Sequence, residues 1–410
     1  MTKASILVTN LFGERHKYLK AIGVLLLSIT MLLSMFFGYL SMLSTIALGF
    51  QLLLAVYSIF LNFLEKNFYI YRKIVFFVPF IVCILITFLI NGYDSHYQTI
   101  ATCFIIFPST FCVLTYFKDY RKIFRLLFFL LLIFAFYFLA VNLAKFIEIL
   151  KTKNFSDMRI GSKIAPINML TIYFELGCAL SLFYFLHSLK KKNIVLSIIY
   201  AFSFLLFLIL GISIGSKQLI VVVLLSIIFV IVSFFGEGRW YLSLLIIGVL
   251  IFSFSIILFI PGLSSTVGAR FLDMFGMVDG TNTRDFSTAE RFEMIKEALY
   301  MFSKRPLFGY GIWGFAKYGS FGTYSHNTYS NALCETGFFG FSSFLIFALM
   351  PLFLIKQPKE KKVFAICIIS CLLLQFLFGV LYYHKMMYFS LGFCYALIEQ
   401  GKKENQKLVK

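Results

Sequence analysis

Residues 325–354 read SHNTYSNALCETGFFGFSSFLIFALMPLFL, and this stretch decides the class of fold. Its second half belongs to an apolar run, 333–355, close to the roughly 20 residues that a helix needs to cross a bilayer. Four polar side chains stand at the mouth of that helix: His326, Asn327, Asn331 and Glu335. Burying one such group without a partner costs roughly 2–7 kcal/mol. The stretch therefore predicts either an anchor that stays in contact with water or a functional site.

The rest of the chain repeats the apolar pattern. Of its 410 residues, 60% are hydrophobic and 19% are aromatic, and the mean hydropathy is +0.91, well above that of a soluble domain. No strand-like alternation competes, and a backbone in lipid must satisfy its own hydrogen bonds as helix. The sequence therefore predicts one all-α polytopic domain over 1–410 with about twelve transmembrane helices. The apolar runs fall near 19–39, 43–64, 74–92, 98–117, 124–147, 166–189, 194–213, 218–235, 241–260, 333–355, 363–381 and 384–399.

The positive charges that give the net charge of +19 are distributed so that they indicate how the chain is oriented in the membrane. If every run crosses, both termini and most of the Lys and Arg lie on one side, which the positive-inside rule assigns to the cytoplasm. The basic short loops of that side read EKNFYIYRK, KDYRKIFR, KKKN and KQPKEKK. The first run follows Lys17 and Lys20 and lacks a small-residue cleavage pattern, so we expect an uncleaved first span. The pattern predicts cytoplasmic N- and C-termini and no nucleic-acid partner.

Two outer loops and one short turn carry cations that the same rule disfavours. The short basic outer loop covers 148–165, and the large outer loop covers 261–332, between the ninth and tenth spans. The cations of interest are Arg159, Lys163, Lys217, Arg284 and Arg291. Cations kept on the outer face indicate an anionic ligand. Two alternatives stay open: a long loop translocates regardless of charge, and a lysine at a span end also snorkels to the interface.

The large outer loop contains a predicted amphipathic helix over 288–304. Ser287 and Glu290 have the spacing of a capping box, and Pro306 ends the helical pattern. One apolar stripe recurs at helical spacing: Phe292, Ile295, Leu299 and Phe302. Such a helix lies on the membrane surface, and Arg291 falls in its first turn.

The stretch that follows this helix, GYGIWG at 309–314, has G-x-G-x-x-G spacing. A dinucleotide fingerprint requires a strand before it and a βαβ unit around it. Here the motif follows a predicted helix and a proline outside the membrane, so we exclude that interpretation. Glycines that let the chain fold tightly over a site remain the better explanation.

The mouth of the tenth span has the pattern of a polar cavity. Asn327 is a favourable N-cap, and Asn331 and Glu335 follow on nearly the same helix face. A second face consists of small residues that let another helix approach: Ser330, Cys334, Gly337 and Gly340. His326 precedes the cap. A lone loop histidine is usually only solvated, but histidine is also the side chain best suited to proton transfer near neutral pH.

Four segments, in order, resemble the O-antigen ligase and polymerase superfamily, which includes Wzy-type polysaccharide polymerases. HNTYSNALCETGFFG resembles its H-N-x9-G-x-x-G signature, from His326 to Gly340. ERFEMIKEALYMFSKRPLFGYGIWGF is similar to its arginine-containing helix followed by Pro-Leu-Phe-Gly-x-Gly. ISIGSKQLIVVV resembles its Ser-Arg-Gly-type motif, with Lys217 where arginine is usual, and RIGSKIAPIN resembles the arginine-containing segment of the preceding outer loop. The motifs span 159–340, and the topology matches over nearly the whole chain.

The resemblance implies an inverting glycosyl transfer on the outer face of a bacterial cytoplasmic membrane. Donor and acceptor are polyprenyl-diphosphate-linked oligosaccharides, and the acceptor hydroxyl displaces polyprenyl diphosphate from the donor. The implied catalytic residues are His326 as the base and Arg291, Lys217 and Arg159 as fixed positive charge beside the diphosphate. The implied substrate-binding residues are Asn327, Glu335, Asn331, Lys163 and Arg284, with Glu335 also a weaker candidate for the base. Lysine at 217 keeps the charge of arginine but not its bidentate fork.

No metal or other cofactor is implied, since no cluster of Asp and His appears in the outer loops and the eight cysteines are scattered.

Ligases and polymerases share the motifs. We favour a repeat-unit polymerase for capsule, exopolysaccharide or O-antigen, with a flippase and a chain-length regulator as partners beside membrane lipid. The alternatives are a ligase that transfers glycan to a lipid A core and a polysaccharide-lipid flippase. Transporters usually show internal repeats with interrupted helices, which this sequence lacks, and a passive structural protein does not explain the outer cations.

Overall fold

The computed structural model describes the chain in separate ranges that cover most of its helices. These ranges are 3–36, 41–64, 73–115, 119–152, 160, 167–214, 223–228, 230–232, 248, 286–355 and 358–408. Within them the secondary structure is helix and turn, without a strand. The helices are α1 (Lys3–Phe36), α2 (Ser41–Leu64), α3 (Val78–Asn91), α4 (His96–Thr115), α5 (Tyr120–Thr152), α6 (Ile167–Lys190), α7 (Ile194–Ser213), α8 (Phe286–Lys304), α9 (Gly314–Tyr318), α10 (Thr328–Leu354), α11 (Lys359–Gln375) and α12 (Lys385–Leu408).

Several of these helices are long and apolar enough to cross a membrane. In the described part of the chain they are His96–Thr115, Tyr120–Ile149, Leu170–Lys190, Ile194–Ser213 and Thr328–Leu354. Shorter apolar helices include Ala21–Phe36, Thr45–Tyr57, Val78–Asn91 and Lys385–Ile398. The prediction of an all-helical fold is therefore confirmed over the described residues, and the apolar helices support a membrane protein.

The apolar runs predict where helices occur better than where they end. The run at 124–147 lies inside a helix that extends over Tyr120–Thr152, because a helix continues past the hydrocarbon where water satisfies its ends. The runs at 218–235 and 241–260 fall mostly outside the described residues, although 223–228 are helical. The number of twelve spans therefore stays a prediction.

Aromatic rings form much of the core between α3, α4, α10 and α12. Phe347 of α10 lies 4.7 Å from both Phe77 and Phe107, measured between ring centroids. Phe107 in turn lies 5.1 Å from Tyr395 of α12. Helices in lipid associate through close packing rather than through exclusion of water, so this interlocking of rings stabilises the bundle. It also fixes these helices relative to one another.

At one end of the bundle, three helices meet at Glu360. The Tyr120 hydroxyl at the start of α5 donates to Glu360 Oε2 at 3.0 Å. His187 Nδ1 near the end of α6 lies 3.6 Å from Glu360 Oε1 at the start of α11. The loops that the sequence analysis assigns to the cytoplasm therefore lie together.

The opposite end brings together segments that the sequence analysis assigns to the outer face. Arg305, after α8, donates from Nη1 to Asn91 Oδ1 at the end of α3, at 3.1 Å. Thr328 N donates to Phe376 O at 2.7 Å, joining the start of α10 to the end of α11. The candidate site lies at this end.

The amphipathic helix in the large loop is present, with a different start. It covers Phe286–Lys304, so Ser287 lies inside the helix rather than before it, and Arg291 falls in the second turn rather than the first. The predicted end at 304 agrees with the structure. The predicted start differs by two residues, because a capping-box pattern identifies a helix start only approximately.

Helix α8 packs on α10 through a face that the apolar stripe did not indicate. Met294, Ala298 and Met301 are buried in a small cluster with Cys334 of α10. Phe292, from the predicted stripe, is 61% exposed. The helix is thus apolar on two sides, and Arg291 lies next to the side that faces the protein.

Candidate functional site

The mouth of α10 is built around Asn327, which caps the helix as the sequence predicted. Its Oδ1 accepts from Ser330 N at 3.0 Å, and its Nδ2 donates to Leu377 O at 3.1 Å. Both ends of the amide are therefore bonded to backbone groups. The cap fixes the start of α10 against the turn that follows α11.

Helix α10 is interrupted at Gly337, where φ is 67° and ψ is −171°. The interruption releases the carbonyl groups of the preceding turn from the helix. Cys334 O accepts from Tyr310 N at 3.0 Å, and Glu335 O accepts from Gly311 N at 2.9 Å. The glycine-rich segment is thus bonded along the opened side of the helix.

This close approach requires glycine in both segments. At Gly309, which has a φ of 67°, an added Cβ would lie 2.5 Å from the carbonyl oxygen of Cys334. At Gly337 an added Cβ would collide with the carbonyl group of Leu307. The sequence analysis assigned Gly337 to a face that admits another helix; the segment that approaches is instead the loop after α8. The expectation that the glycines fold the chain tightly over a site is confirmed.

Glu335 lies fully buried beneath this loop. Its Oε2 accepts hydrogen bonds from the hydroxyl groups of Tyr382 and Tyr383, which lie between α11 and α12. Burial and the adjacent carboxylate raise the pKa of both hydroxyls well above their ordinary value, so both stay protonated donors. Among the described residues no hydrogen bond reaches Glu335 Oε1.

Asn331 connects Glu335's partners to the loop that carries His326. Its Nδ2 donates to the Tyr382 hydroxyl at 2.6 Å, and its Oδ1 accepts from Ser325 N at 3.0 Å. Asn331 is completely buried, so both ends of its amide are used inside the protein. Asn331 thereby holds the backbone at Ser325, the residue directly before His326.

His326 sits at the opening of the site in a strained conformation. Its φ is 53°, and in the described ranges the other non-glycine residues with positive φ are Lys192 and Trp313. Such strain costs on the order of 1–3 kcal/mol and occurs preferentially at functional sites. The imidazole lies 4.5 Å from the Tyr324 ring, measured between centroids.

The charge of Arg291 reaches the His326 ring. Burial, and then the positive charge of Arg291, lower the pKa of His326 to about 4. The ring is therefore neutral at physiological pH. Its Nδ1 is buried, and no group in the described part of the chain bonds to it. A neutral histidine next to a fixed cation can accept a proton while the cation binds an anion.

One wall of the candidate site comes from the turn between α3 and α4. His96 stacks on Trp313 with 3.8 Å between ring centroids and 3° between ring planes. Asp94 Oδ1 accepts from His96 N at 2.9 Å and lies 2.6 Å from His96 Nδ1. Burial acts to raise the pKa of Asp94, but the hydrogen bonds and charge of His96 outweigh it and lower the pKa, so the carboxylate is ionised.

The described part of the site includes His326, Arg291, Asn327, Asn331 and Glu335 from the predicted set. Arg159, Lys163, Lys217 and Arg284 lie outside the described residues. Ile160, which follows Arg159, donates its N–H to Ser213 O at 3.1 Å, four residues before Lys217. No metal-binding group of three or more His, Cys, Asp or Glu occurs in the ranges searched.

The sequence analysis missed the residues that complete the site, namely Asp94, His96, Trp313, Tyr324, Tyr382 and Tyr383. Trp313 lies inside the recognised glycine-rich segment and Tyr324 two residues before the His326 motif, and their aromatic character was the available signal. The other four come from turns between apolar runs, where no periodic pattern marks a site.

Residues 176–345 match the model of a family described as O-antigen ligase. Over this segment the chain is similar to the O-antigen ligase/polymerase superfamily, which supports the resemblance seen in the sequence motifs. No curated protein matches the sequence.

Members of this superfamily are glycosyltransferase-like enzymes of the ligase or polymerase type, and lipid-linked glycans are their substrates. The matched segment begins in α6 and ends within α10, so it includes Lys217, Arg291, His326 and Glu335. The turn at Asp94 and the pair Tyr382–Tyr383 lie beyond it, although they contact its residues.

Proposed function

We propose that the protein is a repeat-unit polymerase of polysaccharide synthesis. It transfers a polyprenyl-diphosphate-linked glycan to a sugar hydroxyl of another lipid-linked repeat unit, for capsule, exopolysaccharide or O-antigen. The reaction takes place at the outer face of the bacterial cytoplasmic membrane. The acceptor oxygen forms a bond to the anomeric carbon with inversion, the bond to the diphosphate breaks, and the hydroxyl proton passes to His326.

The observation that carries this proposal is the pairing of a neutral His326 with Arg291. A histidine with a pKa of about 4 stays unprotonated at neutral pH, so it is always available to accept a proton. Its Nδ1 is buried and lacks a bond from any described group, so we assign the contact with the acceptor hydroxyl to the partly exposed remainder of the ring. General-base assistance of this kind contributes typically 10²–10⁴-fold to the rate.

The leaving diphosphate requires positive charge, which we assign to Arg291 together with Arg159 and Lys217. The bond between Ile160 and Ser213 supports this grouping, since it joins the short basic loop to the end of α7 shortly before Lys217. Fixed cations stabilise charge that grows as the anomeric bond breaks. Lys163 and Arg284 are proposed to bind the same anionic substrates, without metal or cofactor.

Among the buried polar residues we propose supporting roles. Asn327 and Asn331 have both ends of their amides bonded within the protein, so they position the His326 loop rather than contact the glycan. Glu335 keeps one oxygen, Oε1, without a hydrogen bond from the described residues, and we retain it as the second candidate for proton transfer.

We further propose the full topology. It has twelve spans, cytoplasmic N- and C-termini, a short basic outer loop at 148–165 and a large catalytic outer loop at 261–332. The meeting of Tyr120, His187 and Glu360 at one end supports the assignment of sides. A flippase that delivers the repeats and a chain-length regulator are the proposed protein partners.

The test is the glycan that accumulates when the gene is deleted. A lost polymerase leaves single repeat units on the lipid carrier, and wild-type protein restores long chains. His326→Ala should fail to restore them, whereas His187→Gln, at the opposite end of the bundle, should succeed. Normal chain lengths with His326→Ala would remove the proton-accepting role from His326.

A ligase is the second candidate, because the matched family is described by that activity. Loss of a ligase leaves long polymer on the lipid carrier and unmodified lipid A core. The deletion strain therefore separates the two functions by the length of the lipid-linked glycan.

A further inference from the structure

We propose that Trp313, His96, Tyr324 and Asp94 form a binding subsite for a sugar residue of the acceptor glycan. We name this group the aromatic corner. The proposal rests on the proposed glycosyl transfer, and it assigns a role to the turn between α3 and α4, which carries no family motif.

The rings of the aromatic corner are held in place and partly exposed. Trp313 lies against His96 on one face, and its centroid is 6.2 Å from that of Tyr324, with the ring planes inclined at 60°. All three side chains keep part of their surface exposed at the outer end of the bundle. Two inclined aromatic surfaces suit a pyranose ring, whose C–H groups pack against an aromatic face while its hydroxyls stay in water.

The backbone of Trp313 is strained to present this ring. Its φ is 66°, in the left-handed region that a bulky side chain rarely adopts. Its N–H donates to the Tyr383 hydroxyl at 3.0 Å, which connects it to buried Glu335. The neighbouring Ile312 N donates to the Tyr97 hydroxyl at 3.3 Å. These hydrogen bonds hold the Trp313 backbone in an unfavourable conformation, as the fold also does at His326. A side chain that only packs in the core does not require such strain.

Asp94 supplies the polar contact that a sugar needs. Both side-chain hydrogen bonds that Asp94 makes within the described residues end on Oδ1, so we assign Oδ2 to accept from a sugar hydroxyl. An ionised carboxylate repels a diphosphate and accepts well from hydroxyls. The aromatic corner is therefore suited to the neutral glycan, whereas the diphosphate belongs beside Arg291.

The position of the aromatic corner indicates the acceptor. Tyr324 lies next to both Trp313 and His326, at centroid distances of 6.2 and 4.5 Å. If one sugar unit of the acceptor binds at Trp313, the hydroxyl group that meets His326 therefore belongs to that unit or to one of the next two sugar units. Binding at the aromatic corner therefore orients the acceptor hydroxyl for its attack on the anomeric carbon of the donor.

Trp313 itself can report binding, because the chain contains only two tryptophans, Trp240 and Trp313. The Trp240→Phe full-length protein in lipid nanodiscs would be titrated with the soluble repeat-unit oligosaccharide, released by mild acid from the lipid-linked intermediates of the source bacterium. We expect a saturable change in emission. Sucrose and inorganic diphosphate at equal concentrations should give none. A response to diphosphate equal to that of the oligosaccharide would overturn the assignment to sugar.

Variants of the aromatic corner should weaken this binding. Asp94→Asn, which removes the charge and keeps the shape, should lower the affinity about tenfold, as expected for one hydrogen bond to a charged acceptor. His96→Ala should do the same by releasing the indole. The matched control is Tyr93→Ala, in the same turn but 62% exposed and outside the aromatic corner. Equal affinities for Asp94→Asn, His96→Ala and the control would contradict the proposal.

A kinetic test separates this inference from the proposed function. Transfer from a lipid-linked donor to the labelled soluble repeat unit should show a raised KM for the acceptor in Asp94→Asn, with the donor KM nearly unchanged. If wild-type protein transfers glycan and Asp94→Asn has an unchanged acceptor KM, the proposed subsite is wrong, whereas the proposed glycosyl transfer is supported. If wild-type protein transfers nothing but still binds the oligosaccharide in an Asp94-dependent way, the subsite stands and the proposed function is wrong.

Discussion

The Trp313 backbone N–H and the Tyr383 hydroxyl, 70 residues apart in the chain, form a 3.0 Å hydrogen bond. The same hydroxyl donates to Glu335, so one tyrosine joins the loop after α8, the interrupted helix α10 and the turn before α12. Loss of this hydroxyl leaves the Trp313 N–H without its partner and removes one of the two hydrogen bonds that Glu335 Oε2 accepts, the other coming from Tyr382. The site is therefore held by contacts distant in sequence.

We expect Tyr383→Phe to destabilise the folded protein by about 1–3 kcal/mol, the usual cost of leaving buried polar groups unsatisfied. It should also reduce polymer synthesis, because the strained Trp313 loop loses its anchor. Thermal unfolding of purified protein and chain-length analysis measure the two effects. The matched control is Tyr93→Phe, whose hydroxyl is an exposed acceptor for Gln98 and whose loss should be nearly neutral. A melting temperature for Tyr383→Phe equal to that of the control would show that the bond contributes little.

The glycine at the helix break gives a steric prediction. Gly337→Ala places a Cβ against the Leu307 carbonyl in a backbone conformation with φ of 67°, so we expect a large loss of stability and little folded protein in the membrane. Gly49→Ala, in helix α2 with open space around it, should have no such effect. Fluorescence-detected size-exclusion chromatography of tagged variants compares the yields. Equal yields would mean that the loop after α8 moves away at low cost.

The low pKa of His326 predicts unusual acid tolerance. Because the neutral ring is the active form, kcat/KM should fall only as pH drops through about 4, rather than through the ordinary value of 6.5. Arg291→Gln removes a like charge and should move this limb to higher pH, though not to 6.5, since burial is the larger cause. Residual activity of that variant is sufficient for the profile. An acid limb at 6.5 in the wild type would contradict the assigned environment.

The same shift affects stability in a defined direction. The folded state binds a proton at His326 less readily than the unfolded chain does, so stability is full above about pH 6.5 and declines toward pH 4. His326→Gln should make the melting temperature less sensitive to pH within this window. An unchanged dependence would place the acid sensitivity elsewhere.

The parts of the site predicted from sequence are those encoded locally. Asn327 was recognised as a cap because capping depends on neighbouring residues, and α8 was recognised from its apolar spacing. The glycines of the loop after α8 were predicted to permit close approach, which they do. The break at Gly337 was not predicted, since a glycine in an apolar run reads equally well as a packing face.

The remaining residues could not be found because their roles depend on contacts between distant turns. His96 looks in the sequence like an ordinary loop histidine, and only the fold places it on Trp313. Tyr382 and Tyr383 end an apolar stretch, where tyrosine is common at membrane interfaces. Which of these tyrosines meets a carboxylate follows from the packing of α10 against α11 and α12, which no spacing rule specifies.

The proposed topology is testable by single cysteines in a cysteine-free variant. Cysteine at Ser320 or Thr281, in the large loop, should react with a membrane-impermeant thiol reagent in intact cells, whereas cysteine at Lys191 or Lys359 should not. Ser320, Lys191 and Lys359 are exposed in the structure, so a missing reaction reports the side of the membrane rather than burial. Labelling in the reverse order would overturn the assignment of sides.

The fixed cations give the last prediction. Charge grows on the diphosphate as the anomeric bond breaks, so a side chain that neutralises it stabilises the transition state more than the ground state. Arg291→Glu and Arg159→Glu should lower the rate by at least about 10²–10³-fold, the usual loss on removing one such group. Lys217→Arg should keep activity, because it keeps the charge and adds a bidentate fork, whereas Lys217→Glu should lose it. The matched control is Lys304→Glu, an exposed charge at the end of α8 that should have a mild effect.

Because the proposal assigns neutralisation to side chains, polymerisation of lipid-linked repeats by purified protein should persist in excess EDTA. Full activity of Lys217→Glu, or strict dependence on a divalent ion, would contradict this account of the leaving group.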